Sequence, residues 1–238
     1  MKIVSWNCQG LKLSEGVRAL VSSEKPDILT LQECGNLKGT SIKFDSSKTE
    51  LNPLIVGEWQ DYLVFYYPWR NFSRCSMASF VKNDLECKSP YCYIDVLSDP
   101  EDKRADSTED KSDKSENSDE LRKGLRAALC VEVKDRDHSY LICNIHLPSG
   151  QPAFARKVGY KYLDTLSYNP FMIMIGDFNT EPHQWKSLKS MLRLVNSGVA
   201  THESGSELDY MITNIHNRIS ASVLDSCGSD HCPVMFEF

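Results

Sequence analysis

The sequence predicts an α/β fold, and three observations carry that prediction. Short runs rich in β-branched and aromatic residues alternate with stretches of helical apolar spacing along the chain. A length of 238 residues is ample for one large domain with a buried core and short for two. No internal repeat interrupts the alternation, so a single domain over residues 1–238 is expected.

In chain order, strands are expected at 2–8, 27–33, 62–67 and 76–81, then at 125–133, 140–146, 171–176, 208–213, 219–224 and 233–238. Helical spacing occurs three times. The first stripe is Leu13, Val17, Leu20 and Val21; the second is Phe154, Val158, Tyr162 and Leu166; the third is Trp185, Leu188, Leu192 and Val195. All three read as core-facing sides of helices rather than as cofactor boxes.

Composition excludes several classes. Hydrophobic content of 41% with 10% aromatics suits a globular protein. No apolar run nears the roughly 18 residues of a membrane span. The opening Met1-Lys2-Ile3-Val4-Ser5-Trp6-Asn7 lacks the basic and apolar regions of a secretory signal and reads as a first strand. The expectation is an intracellular protein, cytoplasmic or nuclear, unless a leader precedes this sequence. Nine cysteines, an odd number, do not close a disulfide framework. Those in Leu129-Cys130-Val131 and Ile142-Cys143-Asn144 stand as small hydrophobes. Cys227, His231 and Cys232 lack the paired spacing usual for zinc.

The net charge of −6 is local. Residues 99–120 hold ten Asp/Glu against four Lys/Arg, which leaves 23 of each sign in the rest of the chain. That stretch has almost no apolar residues, so it reads as a disordered, solvated insert at about 98–122 between two strands. A neutral remainder is compatible with a polyanionic partner.

Function is written at the strand ends. Trp6-Asn7, Gln32-Glu33, Asn144-Ile145-His146, Gly176-Asp177-Phe178-Asn179 and Ser229-Asp230-His231 each place polar residues at the edge of an apolar run. Glu207-Leu208-Asp209-Tyr210 sets an acid inside another. Carboxylate and amide oxygens suit a hard cation such as Mg²⁺. Asp177 and Asn179 lie two apart, so in an extended stretch both face one way. Singly, each has a plainer reading: Asn7 or Asn179 as a turn residue, Glu33 as a solvated strand end, His146 as a hydrogen-bonded edge histidine, Asp230-His231 as a turn. Six such sites in one α/β chain favour the joint reading.

In order and content, these segments resemble the motif series of the endonuclease/exonuclease/phosphatase superfamily, the DNase I-like fold, over nearly the whole chain. Ser5-Trp6-Asn7-Cys8-Gln9-Gly10 and Asp27-Ile28-Leu29-Thr30-Leu31-Gln32-Glu33-Cys34-Gly35 are most similar to the catalytic subunit of cytolethal distending toxins. The resemblance implies a four-layer α-β-β-α sandwich with the site at one edge. It implies that Glu33, helped by Asn7 and Asp230, holds Mg²⁺, with Mn²⁺ as a substitute. Asp177 and Asn179 would orient the attacking water and the phosphate. His231, paired with Asp209, would sit beside the scissile group, and His146 would contact or protonate a phosphoryl oxygen. Arg126 falls where the family has a phosphate-contacting arginine, and Asn7 and Asn179 would share that contact. One departure stands out: the family pairs the histidine matching His146 with an upstream glutamate, and residues 67–74 offer no counterpart.

The resemblance implies a metal-dependent phosphoester hydrolase, read first as a deoxyribonuclease acting on DNA. Two alternatives stay open. A phosphoinositide phosphatase is disfavoured because Ser206-Glu207-Leu208-Asp209-Tyr210 lacks the Pro/Trp signature of the inositol 5-phosphatases. A catalytically inactive nucleic-acid-binding module is disfavoured because every motif position holds a competent residue. Arg70, Arg74, Arg126, Arg156 and Lys157 are the basic residues offered to a polyanion.

Overall fold

The strands sort into two sheets, each centred on one parallel pair joined by a helical crossover. The computed structural model describes residues 1–11, 13–45, 54–68, 75–88, 90–93, 127–136, 138–225 and 228–238. Arg70, Arg74, Arg126, Cys227 and the acidic stretch 99–120 lie outside these residues.

In the first sheet, β1 (Lys2–Asn7) runs parallel to β2 (Ile28–Gln32), with their last paired residues Asn7 and Gln32. Helix α1 (Glu15–Glu24) connects them. Ser14 caps it by accepting from the Val17 N–H at 3.4 Å, and Lys25 ends it in a left-handed turn, φ 48°, before Pro26. The remaining strands of this sheet are β3 (Lys43–Phe44), β4 (Ile55–Trp59), β5 (Tyr62–Tyr67), β6 (Met77–Lys82), β14 (Ser220–Val223) and β15 (Val234–Glu237). The order is β14-β15-β1-β2-β6-β5-β4-β3.

The second sheet repeats the device. Strand β10 (His138–His146) runs parallel to β11 (Met172–Asp177), ending on the pair His146 and Asp177, and α2 (Pro152–Leu166) crosses between them. Pro152 opens α2, where its missing N–H is no loss. Strands β7 (Glu86–Cys87), β8 (Tyr91–Tyr93), β9 (Ala128–Asp135), β12 (Arg193–Val195) and β13 (Asp209–Thr213) complete the order β12-β13-β11-β10-β9-β7, with β8 also on β9.

Period-two alternation then fixes four layers. Ile3, Ile28, Phe65, Met77, Leu129, Ile142, Ile173 and Met211 face inward and fill the space between the sheets. The intervening residues of the first sheet, among them Val4, Trp6, Leu29 and Phe80, pack outward with Val17, Leu20 and Val21 of α1. Those of the second, among them Cys143, Met174 and Tyr210, pack outward with Val158, Tyr162 and Leu166 of α2. The protein is a single-domain α-β-β-α sandwich.

Three features differ from the sequence-based expectation. The third apolar stripe is not a helix: a 3-10 turn at Pro182–Gln184 leads into irregular chain and then β12. Trp185 and Leu192 are buried on α2, and a Cβ on Gly159 would sit 2.5 Å from the Trp185 ring. Helix-like spacing arises here from a segment that drapes over a helix. Strands β3, β7, β8 and β12 escape the pattern because they are only two or three residues long, and in β4 Gly57 interrupts the apolar run. Expected strand ends shift by one or two residues, as β10 beginning at His138 shows, and residues 125 and 126 of the expected strand 125–133 lie outside the described residues. Among the described residues all cysteines are free, and no helix is long and apolar enough to cross a membrane.

Candidate active site

At one end of the inter-sheet space the inward-facing residues turn from apolar to polar while keeping register. Ser5 and Asn7 follow Ile3 on the inner face of β1, Thr30 and Gln32 follow Ile28, Asn144 and His146 follow Ile142, and Asp177 follows Ile173 and Ile175. All are buried. A buried polar group needs a partner, and several of these find one another across the sandwich, while Thr30 Oγ1 and Gln32 Oε1 have no hydrogen-bond partner among the described residues. Gln32 donates to Ser5 Oγ at 3.2 Å and to Asn144 Oδ1 at 2.7 Å. The Asn144 amide donates to the Leu31 and Ala78 carbonyls at 3.2 and 3.0 Å. This layer locks the two sheets together beneath the site.

Asp177 is the hub above it. Its Oδ2 accepts from Asn7 Nδ2 at 3.0 Å and Asn179 Nδ2 at 3.1 Å, and its Oδ1 accepts the Asn179 N–H at 2.8 Å. The Nε2 atoms of His146 and His231 lie 3.5 and 3.8 Å from the same Oδ2. Burial and the charge of Asp209 push the Asp177 carboxyl up to about 7, against the pull of His231, the Asn179 N–H and the Asn7 amide. Gly176 permits this placement: with φ 143°, a Cβ there would lie 2.0 Å from the Ile145 carbonyl oxygen.

His231 is held from behind. Its Nδ1 lies 2.7 Å from Asp209 Oδ2, which also accepts from Thr201 Oγ1 at 2.7 Å. The carboxylate keeps the proton on Nδ1 and aims Nε2 into the site. Burial alone would lower the His231 pKa, but the Asp209 hydrogen bond and the charges of Asp209, Asp177 and Asp230 outweigh it and raise it to about 9.

The oxygen donors line the neighbouring rim. Glu33 Oε1 lies 3.7 Å from His146 Nε2, so this ring faces two carboxylates. Asn7 Oδ1 accepts the Gln9 N–H at 3.2 Å, and Gln9 Nε2 donates to Asp230 Oδ2 at 2.5 Å. Gln9, Glu33 and Asn179 all adopt left-handed backbone, φ 47°, 49° and 48°. Such strain concentrates at functional sites because the surroundings impose it. Among the described residues no Lys or Arg stands within ion-pair distance of Asp177, Asp209 or Asp230. An oxygen-lined cluster rich in carboxylates and amides fits a hard divalent cation.

Asn7, His146, Asp177, Asn179, Asp209 and His231 thus lie together, with Glu33 joined through His146 and Asp230 through Gln9. Arg126 lies outside the described residues. Both Asn179 amide hydrogens are engaged, one by Asp177 and one by the Leu147 carbonyl at 2.8 Å, so in this state Asn179 positions Asp177. Arg156 donates to Gln184 Oε1 at 2.7 Å and Thr180 Oγ1 at 3.3 Å, bracing the loop after Asn179. Sequence reasoning missed Gln9, Thr201 and the sheet-bridging role of Asn144. Gln9 stood two residues from Asn7, inside a quoted motif. Thr201 carried no signal, since it belongs to none of the strand-end motifs; its loop reaches the site through its own hydroxyl on Asp209 and through a bridge between His202 and His231.

Comparison with known proteins agrees with this fold. The profile of the endonuclease/exonuclease/phosphatase family matches residues 4–231. The cytolethal distending toxin of Haemophilus ducreyi superposes with a TM-score of 0.71 at 21% identity, covering 99% of this chain and 96% of that one. The toxin of Actinobacillus actinomycetemcomitans gives 0.70 at 20% identity, with 99% and 97% covered. TDP2 from Caenorhabditis elegans gives 0.64 at 14% identity, with 99% and 74% covered. No curated protein sequence matches this one.

Proposed function

Because this chain belongs to the endonuclease/exonuclease/phosphatase family, and is a phosphoester hydrolase of that superfamily, we propose that it is a Mg²⁺-dependent deoxyribonuclease. One observation carries the reading: two imidazole Nε2 atoms and two amides converge on Asp177, beside the oxygen donors Asn7, Glu33 and Asp230. Those three residues would hold the metal. When bound, Mg²⁺ supplies positive charge to the phosphate as negative charge develops on it.

The remaining work falls to the chain's own groups. Asp177, with its carboxyl near neutrality, is suited to orient a water and accept its proton. Asn7 and Asn179 keep that carboxyl from rotating away. His231, protonated in the ordinary pH range and fixed by Asp209, presents an Nε2–H to the phosphoryl group. His146 offers a second donor at the same place. The Ser206-Glu207-Leu208-Asp209-Tyr210 segment, which lacks the phosphatase signature, supports DNA over a phosphoinositide.

The test is hydrolysis of supercoiled plasmid, single-stranded DNA, RNA and a phosphoinositide panel with Mg²⁺, using EDTA as control. Metal-dependent plasmid cleavage is expected, with Mn²⁺ substituting for Mg²⁺. Turnover of a phosphoinositide alone, or undiminished cleavage after exhaustive chelation, would refute the reading.

A further inference from the structure

Cys75 has no part in the chemistry above, yet it stands beside two residues that do. The antiparallel ladder between β2 and β6 ends at Leu31 and Ala78 and is prolonged by two bonds. The Cys34 N–H and thiol both donate to the Ser76 carbonyl, at 2.9 and 3.2 Å. That lacing holds residue 75 alongside Glu33. From the other sheet, Asn144 bonds the same two strands and so delivers His146 to the same spot. As a result a Cys75 sulfur, a Glu33 carboxylate oxygen and a His146 ring nitrogen lie within 4.8 Å of one another.

We propose that Glu33, Cys75 and His146 form a thiophilic metal site, which takes Zn²⁺ or Cd²⁺ and thereby arrests the Mg²⁺-dependent reaction. The donor set decides the class of ion. Sulfur, nitrogen and oxygen together are a borderline-soft set, whereas Mg²⁺ takes oxygen and leaves thiolates alone. The spacing is close to what binding needs. Tetrahedral zinc with bonds of about 2.0–2.3 Å sets its ligand atoms about 3.3–3.5 Å apart. His146 Nε2 and Glu33 Oε1 already stand 3.7 Å apart. The Cys75 thiol is half-buried and lies within 4.8 Å of both other ligand atoms. Binding exchanges the thiol proton for the metal and releases it to solvent, with no change of oxidation state.

A second cluster, His202, Asp230 and His231, is as tight, with its donor atoms also within 4.8 Å. It is the weaker candidate. The Ser204 N–H donates to His202 Nδ1 at 3.1 Å, which leaves the ring proton on the Nε2 that faces Asp230. It also lacks the sulfur that separates zinc from magnesium. The arrest of hydrolysis rests on the roles proposed above for Glu33 and His146; the binding of the metal does not.

The experiment titrates metal-stripped protein with Co²⁺ in the presence of Mg²⁺, then displaces Co²⁺ with Zn²⁺. Wild type should show a sulfur-to-cobalt charge-transfer band in the near ultraviolet that Zn²⁺ removes. Cys75→Ser should lose the band and bind Zn²⁺ about 100-fold or more weakly. It should keep its melting temperature and cleave DNA at Zn²⁺ levels that arrest wild type. His202→Gln should keep both the band and the affinity. A band absent from wild type, a band surviving in Cys75→Ser, or Zn²⁺ affinity lost in His202→Gln alone would each overturn the proposal. Failure of the nuclease reading would look different: no Mg²⁺-dependent cleavage by metal-stripped wild type, with the cobalt band still present.

Discussion

The β1-α1-β2 and β10-α2-β11 units are built alike and deliver opposite chemistry. Each has two parallel strands, a helix on the outer face, and a polar pair at the last register position: Asn7 with Gln32, His146 with Asp177. The first unit ends in amide oxygens, with the Glu33 carboxylate one residue beyond. The second ends in an imidazole and a carboxyl raised to about 7. In the proposed function, one offers ligands for a hard cation and the other offers groups that handle protons. Architecture supplies the placement, and two or three side chains at a strand end choose the chemistry.

The sharpest way to break the second unit is at its hub. Asp177→Ala should lower turnover by ~10²–10⁴-fold, the range expected when a proton-handling group is lost. The double variant Asp177→Ala/His231→Ala should be little worse than the poorer single, because groups acting as one unit are not additive. Affinity for duplex DNA in Ca²⁺ should persist in both, since it rests on phosphate contacts elsewhere and weakens with salt. Single-turnover kinetics beside a salt-titrated binding assay would check this.

Asn144 tests whether the two units depend on each other. Its side chain spans from β10 to the Leu31 and Ala78 carbonyls and accepts from Gln32. Asn144→Ala strands buried partners in both sheets and should destabilise the fold by about 1–3 kcal/mol in urea unfolding. It should lower turnover too, because Glu33 and His146 lose their common support. Unchanged stability would show that the sheets hold register without it.

The smallest expected effect is on stability against pH in EDTA. His231 is raised from its ordinary 6.5 to about 9, and Asp177 from 3.8 to about 7. In both cases the folded chain holds a proton that the unfolded chain releases first. The stabilisation is complete below the ordinary value and is lost as pH rises through the raised one. Melting temperature should therefore fall from about pH 4 to 7 through Asp177 and from about pH 6.5 to 9 through His231, the second part less steeply in His231→Gln than in wild type. Parallel slopes would contradict the coupling of His231 to Asp209.

Much of this was legible in the sequence because long strands and their termini announce themselves. The runs ending at Asn7, Gln32, His146 and Asp177 carry β-branched cores and then polar residues, and each became a strand end at the site. The Trp185 to Val195 stripe misled for a physical reason: an irregular segment buries Trp185 and Leu192 on α2, and the strand β12 that follows turns Val195 into the space between the sheets. Gln9 was silent because its partner, Asp230, is distant in sequence, and Thr201 because it sits in an irregular loop that no strand or helix pattern marks. Cys75 was silent as well, since nothing local marks its approach to Glu33 and His146.

The most direct test of the contrast is a Mg²⁺ titration of labelled-duplex cleavage by Glu33→Gln and His231→Ala side by side. Glu33→Gln should lose activity at low Mg²⁺ and regain much of it as Mg²⁺ is raised, because a ligand has been weakened. His231→Ala should stay ~10²–10⁴-fold below wild type at every Mg²⁺ concentration, because a proton-handling group is missing. Near-normal turnover by His231→Ala, or its rescue by Mg²⁺ to the same extent as Glu33→Gln, would contradict the division of labour proposed for the two units.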